Sequence, residues 1–327
     1  MRRLLLCLAA AAGALVLAPA ALADGPLYVT QGGAGVASHD GAFHYVAVPN
    51  GPAGTLLEKI EVSHGQVYWW MRLPGSWGVP TIGNAAATGQ GLSRDGRTMV
   101  LASTAGPYAS PSKFLVVDPR TMKVLRTIVL RGSFSFDALS PDASRMYLIE
   151  YTHGFSNDPN HYIVRAYDMR TNRLMPGRIV DRIEKAEKTM AGYAMTRTTS
   201  ADGRWVYTLY QKPSGEPFVH ALDTARAAAY CIDLPSSTKT NQALYNVVLS
   251  LRDHGRTLAV HWRSGRPWLN VAVGTWDISY PSSGFPWTWV GAGIGGVLAL
   301  LAAGALFLRR RRSEELQEHA RQELGLA

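Results

Sequence analysis

Cysteine is almost absent. The 327-residue chain has two, and one of them, Cys7, lies in an N-terminal apolar run. This excludes a disulfide-stapled scaffold and any four-cysteine zinc module. Charge is sparse as well, at 17% of residues, while 47% are hydrophobic, which is too apolar for a disordered chain. Local catalytic spacing is missing. There is no His-x-His or Glu-x-x-His pair, no Gly-x-Ser-x-Gly elbow and no P-loop, so no metal and no cofactor is predicted. Arginine-rich and aromatic nucleic-acid modules are missing too, and no nucleic-acid partner is expected.

Both ends are patterned as targeting segments. Met1-Arg2-Arg3 is followed by an apolar run from Leu4 to Leu17, a break at Pro19, and the small residues Ala21 and Ala23. The run is too short for a spanning helix, so residues 1–23 are predicted to be a signal peptide cleaved before Asp24. A second apolar run, Trp287 to Leu308, carries no charge. As a helix it covers about 33 Å, which matches a bilayer core of roughly 30 Å. Trp287 and Trp289 sit where an interfacial aromatic belt belongs. Arg309, Arg310, Arg311 and Arg312 follow at once, a stop-transfer and positive-inside signal. The sequence therefore predicts a single-pass cell-membrane protein. Its parts are an extracytoplasmic domain over 24–277, a linker over 278–286, a transmembrane helix over 287–308 and a short cytoplasmic tail over 309–327. Gly291 and Gly295 are spaced for close helix approach, so a homodimer through the span is an open reading. The formal charge of +9 remains mildly basic once the two ends are set aside, which permits attraction to an anionic wall polymer.

Between the ends the pattern is short strands and turns, with one phrase that recurs. It reads Ser38-His39-Asp40-Gly41, Ser93-Arg94-Asp95-Gly96, Ser140-Pro141-Asp142-Ala143 and Ser200-Ala201-Asp202-Gly203. A degraded copy is Arg252-Asp253-His254-Gly255. A second phrase falls between the copies: Asp118-Pro119-Arg120-Thr121, Asp168-Met169-Arg170-Thr171 and Asp223-Thr224. Asp-Gly supports positive φ in tight turns, so the first phrase is predicted to join two inner strands and the second to close an outer hairpin. Two hairpins make four strands, one blade of a β-propeller. The fold class expected is all-β, a propeller-like domain of about five to six blades plus one C-terminal transmembrane α-helix. Leu27-Tyr28-Val29-Thr30 is expected to complete the last blade and close the ring.

The stretch from Val116 through Asp118, Thr121, Ser140 and Asp142 to Leu148 resembles the YVTN-type β-propeller repeat, whose blades carry an Asp-x-x-Thr turn, a Ser-Pro-Asp-Gly turn and a Tyr-Val strand. The resemblance implies a propeller and a binding scaffold. It implies no activity, because propellers host many unrelated functions.

Two segments depart from the blade rhythm. One is 73–91, rich in glycine, proline and alanine and containing Trp77. The other is 178–190, where Ile179, Ile183, Ala186 and Met190 share a helical face. It reads as a short amphipathic helix, either a solvated cap or a lid over the funnel.

Candidate ligand-binding residues are taken from the positions where blades approach the centre. Five residues before each turn aspartate stand Gln90, Asp137 and Arg197, with Gly35 and Val248 in the other two units. Polar side chains there can line a funnel mouth, with Trp77, Phe134, Tyr193 and Tyr245 as an aromatic rim. Tyr68-Trp69-Trp70 suits a strand with aromatics on both faces, for which core packing is the expectation and a carbohydrate platform the alternative. Cys231 lies in an apolar strand-like run with no histidine near it in sequence and reads as a buried, inert thiol.

Three functions fit these observations. The first is a membrane-anchored binding scaffold for an envelope protein or anionic polymer. The second is a propeller hydrolase or lactonase with a funnel site. The third is a receptor signalling through its helix and tail.

Overall fold

The computed structural model describes residues 29–52, 54–82, 88–181 and 189–281. The expected signal peptide, the 287–308 span with Gly291 and Gly295, and the arginines from Arg309 to Arg312 lie outside the described residues. Among the described residues no helix is long and apolar enough to cross a membrane.

The described residues form five antiparallel sheets in sequence order. A short strand, β1 (Val29–Thr30), precedes them. Blade 1 is β2 (Val36–Ala37), β3 (Phe43–Pro49), β4 (Gly54–Glu61) and β5 (Gln66–Pro74). Blade 2 is β6 (Trp77–Ile82), with the excursion β7 (Thr88–Gly89) paired back onto it, then β8 (Met99–Ser103), β9 (Ser112–Asp118) and β10 (Lys123–Leu130). Blade 3 is β11 (Ser133–Leu139), β12 (Arg145–Tyr151), β13 (His161–Asp168) and β14 (Arg173–Leu174), with β15 (Met190–Ala191) also on β13. Blade 4 is β16 (Tyr193–Thr199), β17 (Trp205–Gln211), β18 (Pro217–Asp223) and β19 (Ala228–Asp233). A one-turn helix, α1 (Thr238–Gln242), leads to blade 5: β20 (Val247–Arg252), β21 (Thr257–Trp262), β22 (Pro267–Ala272) and β23 (Ile278–Ser279).

The recurring phrase makes the same turn four times. In each copy the serine hydroxyl accepts the backbone N–H five residues on and donates to the aspartate two residues on. Ser38 pairs with Phe43 and Asp40, Ser93 with Thr98 and Asp95, Ser140 with Arg145 and Asp142, and Ser200 with Trp205 and Asp202. Each joins the first two strands of a blade, as predicted. The second phrase joins the last two: Asp118, Asp168 and Asp223 accept N–H groups of the turn that follows. At Asp142 burial works to raise the carboxyl pKa, but hydrogen bonds from Ser144 and Ser140, with Arg170 nearby, hold it at about 2. In the fifth copy arginine replaces serine, and Thr257 Oγ1 donates to Asp253 instead, at 2.6 Å. Ser140→Ala removes two hydrogen bonds at one turn and is expected to cost about 1–2 kcal/mol, read as a lower urea midpoint with an unchanged slope.

Apolar clusters bind consecutive blades. Tyr45, Leu57 and Leu73 meet Met99, Leu101 and Leu115 between blades 1 and 2. Val116 and Phe114 meet Phe136 and Met146 between blades 2 and 3. Tyr147, Ile149 and Tyr162 meet Val206, Tyr210 and Leu222 between blades 3 and 4, and Leu209 and Val219 meet Leu249 and Val260 between blades 4 and 5. Among the described residues no such cluster joins blade 5 to blade 1.

Several expectations are corrected here. Val29 and Thr30 do not complete the last blade. They pair with Pro80 and Val79 on the inner edge of blade 2, and blade 5 takes its fourth strand from Ile278–Ser279. The β-unit thus runs to Ser279. The 73–91 stretch does belong to a blade, since it supplies the inner strand β6. Its alternation is hidden because β6 is buried on both faces. Within 178–190 the described ends are extended, not helical. Ile179 bridges to Val164, Asp181 bridges to Ala229, and Met190 lies in β15. Residues 182–188 lie outside the described residues.

Candidate functional site

The two charged funnel candidates meet each other. Asp137 lies past the middle of β11 and Arg197 past the middle of β16, on adjacent blades. The Arg197 guanidinium donates to the backbone carbonyl and the carboxylate of Asp137, and its Nε donates to Thr208 Oγ1 at 2.8 Å. Both side chains are 2% exposed. A buried guanidinium engaged on three acceptors has little left to offer a ligand. Ile82 from blade 2 joins the apolar cluster between blades 3 and 4.

The other candidates scatter. Trp77 is buried between blades 1 and 2, with its Nε1 donating to Pro74 O at 2.8 Å. It is a core residue and not part of a rim. Phe134 is likewise buried, in the blade 2–3 cluster. Tyr193 opens β16 and Tyr245 lies two residues before β20, and both are exposed. Tyr108, in the β8–β9 connection, is exposed on the same end. Gln90, whose N–H donates to Pro80 O, lines a cavity of about 250 Å³ at the opposite, turn end. His39, Arg94, Ser140, Phe136 and Val206 also line it. Partial burial, helped by Arg94, lowers the His39 pKa against the pull of the Ser93 backbone and Asp40.

A polar row escaped sequence reasoning. Register aligns Arg197, Thr208, His220 and Cys231 across all four strands of blade 4. His220 Nδ1 lies 3.7 Å from Cys231 Sγ, and the Asp181 carboxylate accepts the Cys231 N–H at 2.9 Å. The thiol expected to be buried is half-buried, and a histidine that is not near it in sequence lies beside it in the fold. The two residues are distant along the chain and meet only through strand pairing. Burial lowers the His220 pKa to about 4; Asp137 and Asp181 oppose the shift and Arg197 reinforces it. The imidazole is thus neutral at pH 7, and its Nε2 has no hydrogen-bond partner among the described residues. Cys231 also lines an outer cavity of about 350 Å³ with Lys212, Asp233 and His161. Among the described residues no group of three or more His, Cys, Asp or Glu is placed to hold a metal ion.

Tyr68, Trp69 and Trp70 are not core. They are 64%, 50% and 57% exposed on the outer strand of blade 1. Phe43 and Tyr45 take the inner positions, and Lys59 Nζ sits 4.0 Å from the Phe43 ring centroid and 5.4 Å from that of Tyr68.

Five consecutive antiparallel blades, packed face to face through shared apolar clusters, define a β-propeller protein. No family model matches the chain, and no curated protein does. Solved structures similar to it include the β-propeller domain of Cps50 (Swd1) from Myceliophteria thermophila, at 13% identity and TM-score 0.43, covering 73% of this chain and 66% of that one. Dihydro-heme d1 dehydrogenase NirN in complex with DHE is similar at 15% identity and TM-score 0.44, over 74% of this chain and 44% of that one. Kuenenia stuttgartiensis hydrazine synthase is similar at 13% identity and TM-score 0.39, over 79% and 80%. This chain therefore spans less than two thirds of the length of the first two. The fold assignment rests on the sheet order and register described above.

Proposed function

We propose that the chain is a single-pass membrane protein whose propeller lies outside the cytoplasm and binds another envelope protein as a scaffold. The observation that carries this reading is the Asp137–Arg197 pair. It removes the funnel's charged candidates from the reach of a substrate, while the loop end above it leaves Tyr108, Tyr193 and Tyr245 exposed. Tyrosine is favoured at protein interfaces because it supplies large contact area at low entropic cost and keeps a polar tip. The membrane anchor is inferred from the charge-free run 287–308 and the four arginines after it. On this reading the chain is a divergent relative of the YVTN-type propellers.

The test is in-cell cross-linking of the full-length chain, with mass spectrometry of what is captured. A recurrent envelope protein is expected, and Tyr193→Ser with Tyr245→Ser should reduce its capture at least tenfold. Capture of no protein would overturn the scaffold reading in favour of a polymer or small molecule. Release of the full chain from membranes by alkaline carbonate would overturn the anchor.

A further inference from the structure

A different observation concerns the outer edge of blade 1. β5 is the longest strand among the described residues, and its only partner is β4. The outer edges of the other blades are protected. β14 and β23 have two residues each. β19 is bridged by Asp181, whose carboxylate takes a β19 N–H. β10 carries Lys123 and Arg126 and is broken by a bulge at Leu125. These are the ordinary defences of an edge strand: shortness, cover, charge and a bulge. β5 has a bulge near Tyr68, but Trp69 to Pro74 pair regularly with β4, and Arg72 is the strand's one charged residue. Besides the three aromatics, Val67 is exposed too. At roughly 150–250 Å² per aromatic side chain, three half-exposed rings leave about 300–400 Å² open. Trp69 and Trp70 point to opposite faces, so this apolar surface flanks the unpaired edge on both sides.

We propose that β5 is a self-association edge, which pairs antiparallel with β5 of a second copy of this chain to join two blades into one continuous sheet. The sequence of the strand is suited to its own reverse. Pairing centred on Trp70 sets Trp70 against itself and Trp69 against Met71 of the second copy, within the stretch beyond the bulge. The two copies of Arg72 fall on opposite sides of the two-fold, so no like charges meet. A foreign strand would need its own complement to this pattern, whereas a second copy supplies it by symmetry, since a two-fold interface presents one patch to itself.

The test is a disulfide scan of the full chain in its membrane, with Cys7→Ala and Cys231→Ser as background. Single cysteines are placed at Gln66, Trp70 and Pro74, then oxidised. Trp70→Cys opposes itself across the two-fold and is expected to give at least tenfold more cross-linked dimer than Gln66→Cys or Pro74→Cys. Those end positions lie roughly 25 Å from their own copies along the paired strands. Because the substitution itself could loosen pairing, Trp69→Cys and Met71→Cys chains are also co-expressed, and the mixture should give more dimer than either alone. In detergent, light scattering of the unsubstituted chain should read a dimer, and Trp69→Lys should halve that mass. A flat scan with a monomeric unsubstituted chain overturns the proposal. So does cross-linking at residue 70 to a different protein with no dimer formed.

Discussion

Arg197→Met is expected to be the most destabilising single substitution in the blades, at about 3–5 kcal/mol, because it leaves the Asp137 carboxylate buried and uncompensated. In a domain of this size that corresponds to a fall in Tm of roughly 10 °C or more. Asp137→Leu should behave similarly for the opposite reason, with a guanidinium left among apolar groups. The pair removed together, Asp137→Leu with Arg197→Met, should regain most of the loss, since an apolar pair of similar volume carries no desolvation penalty. Thermal unfolding of the three variants forms a double-mutant cycle. Single variants that lose binding while keeping Tm would show that the two side chains face a ligand and not each other, and would return the funnel hydrolase to consideration.

Acid should destabilise the propeller well above the carboxylate range. His220 is buried in blade 4, where its pKa is lowered from 6.5 to about 4. In the unfolded chain the imidazole takes up a proton near pH 6.5, and in the folded chain only near 4. Between those values the unfolded state binds more protons, so stability falls as pH falls. The contribution is complete above pH 6.5 and is lost progressively down to about 4. That shift corresponds to roughly 3 kcal/mol. The groups acting on the imidazole are Asp137 and Asp181, which favour its protonation, and Arg197, which opposes it. His39 contributes in the same direction, its pKa being lowered by partial burial. Urea unfolding at pH 7.0 and pH 4.5 should show the loss, and His220→Phe should remove most of the difference. An unchanged pH slope in that variant would mean that acid acts elsewhere.

The turns are where sequence and structure agree most closely. A Ser-x-Asp phrase contains its own hydrogen-bonding partners within five residues, so Ser93, Ser140 and Ser200 make their turns without help from the rest of the chain. Their spacing was therefore enough to place each inner hairpin, while the number of blades stayed at five or six until the sheets were seen. The 73–91 stretch was misleading for the opposite reason. β6 is buried on both faces, so it shows no alternation of apolar and polar residues.

The aromatic strand was misread because alternation indicates which residues share a face but not which faces are covered. In blade 1 the inner positions went to Phe43, Tyr45 and Leu57, and the outer strand was left open. Asp137 and Arg197 were found by their repeat position, yet only the packing of blade 3 on blade 4 made them partners. His220 and Cys231 became neighbours only when β18 paired with β19. By itself the sequence determined the all-β class, the propeller-like repeat and the turn that opens each readable unit, because those depend on contacts a few residues long. The tertiary structure alone decided which polar groups neutralise each other, which histidine is held neutral and which strand edge is left bare. Those outcomes depend on burial and strand register, which bring together residues far apart in the chain.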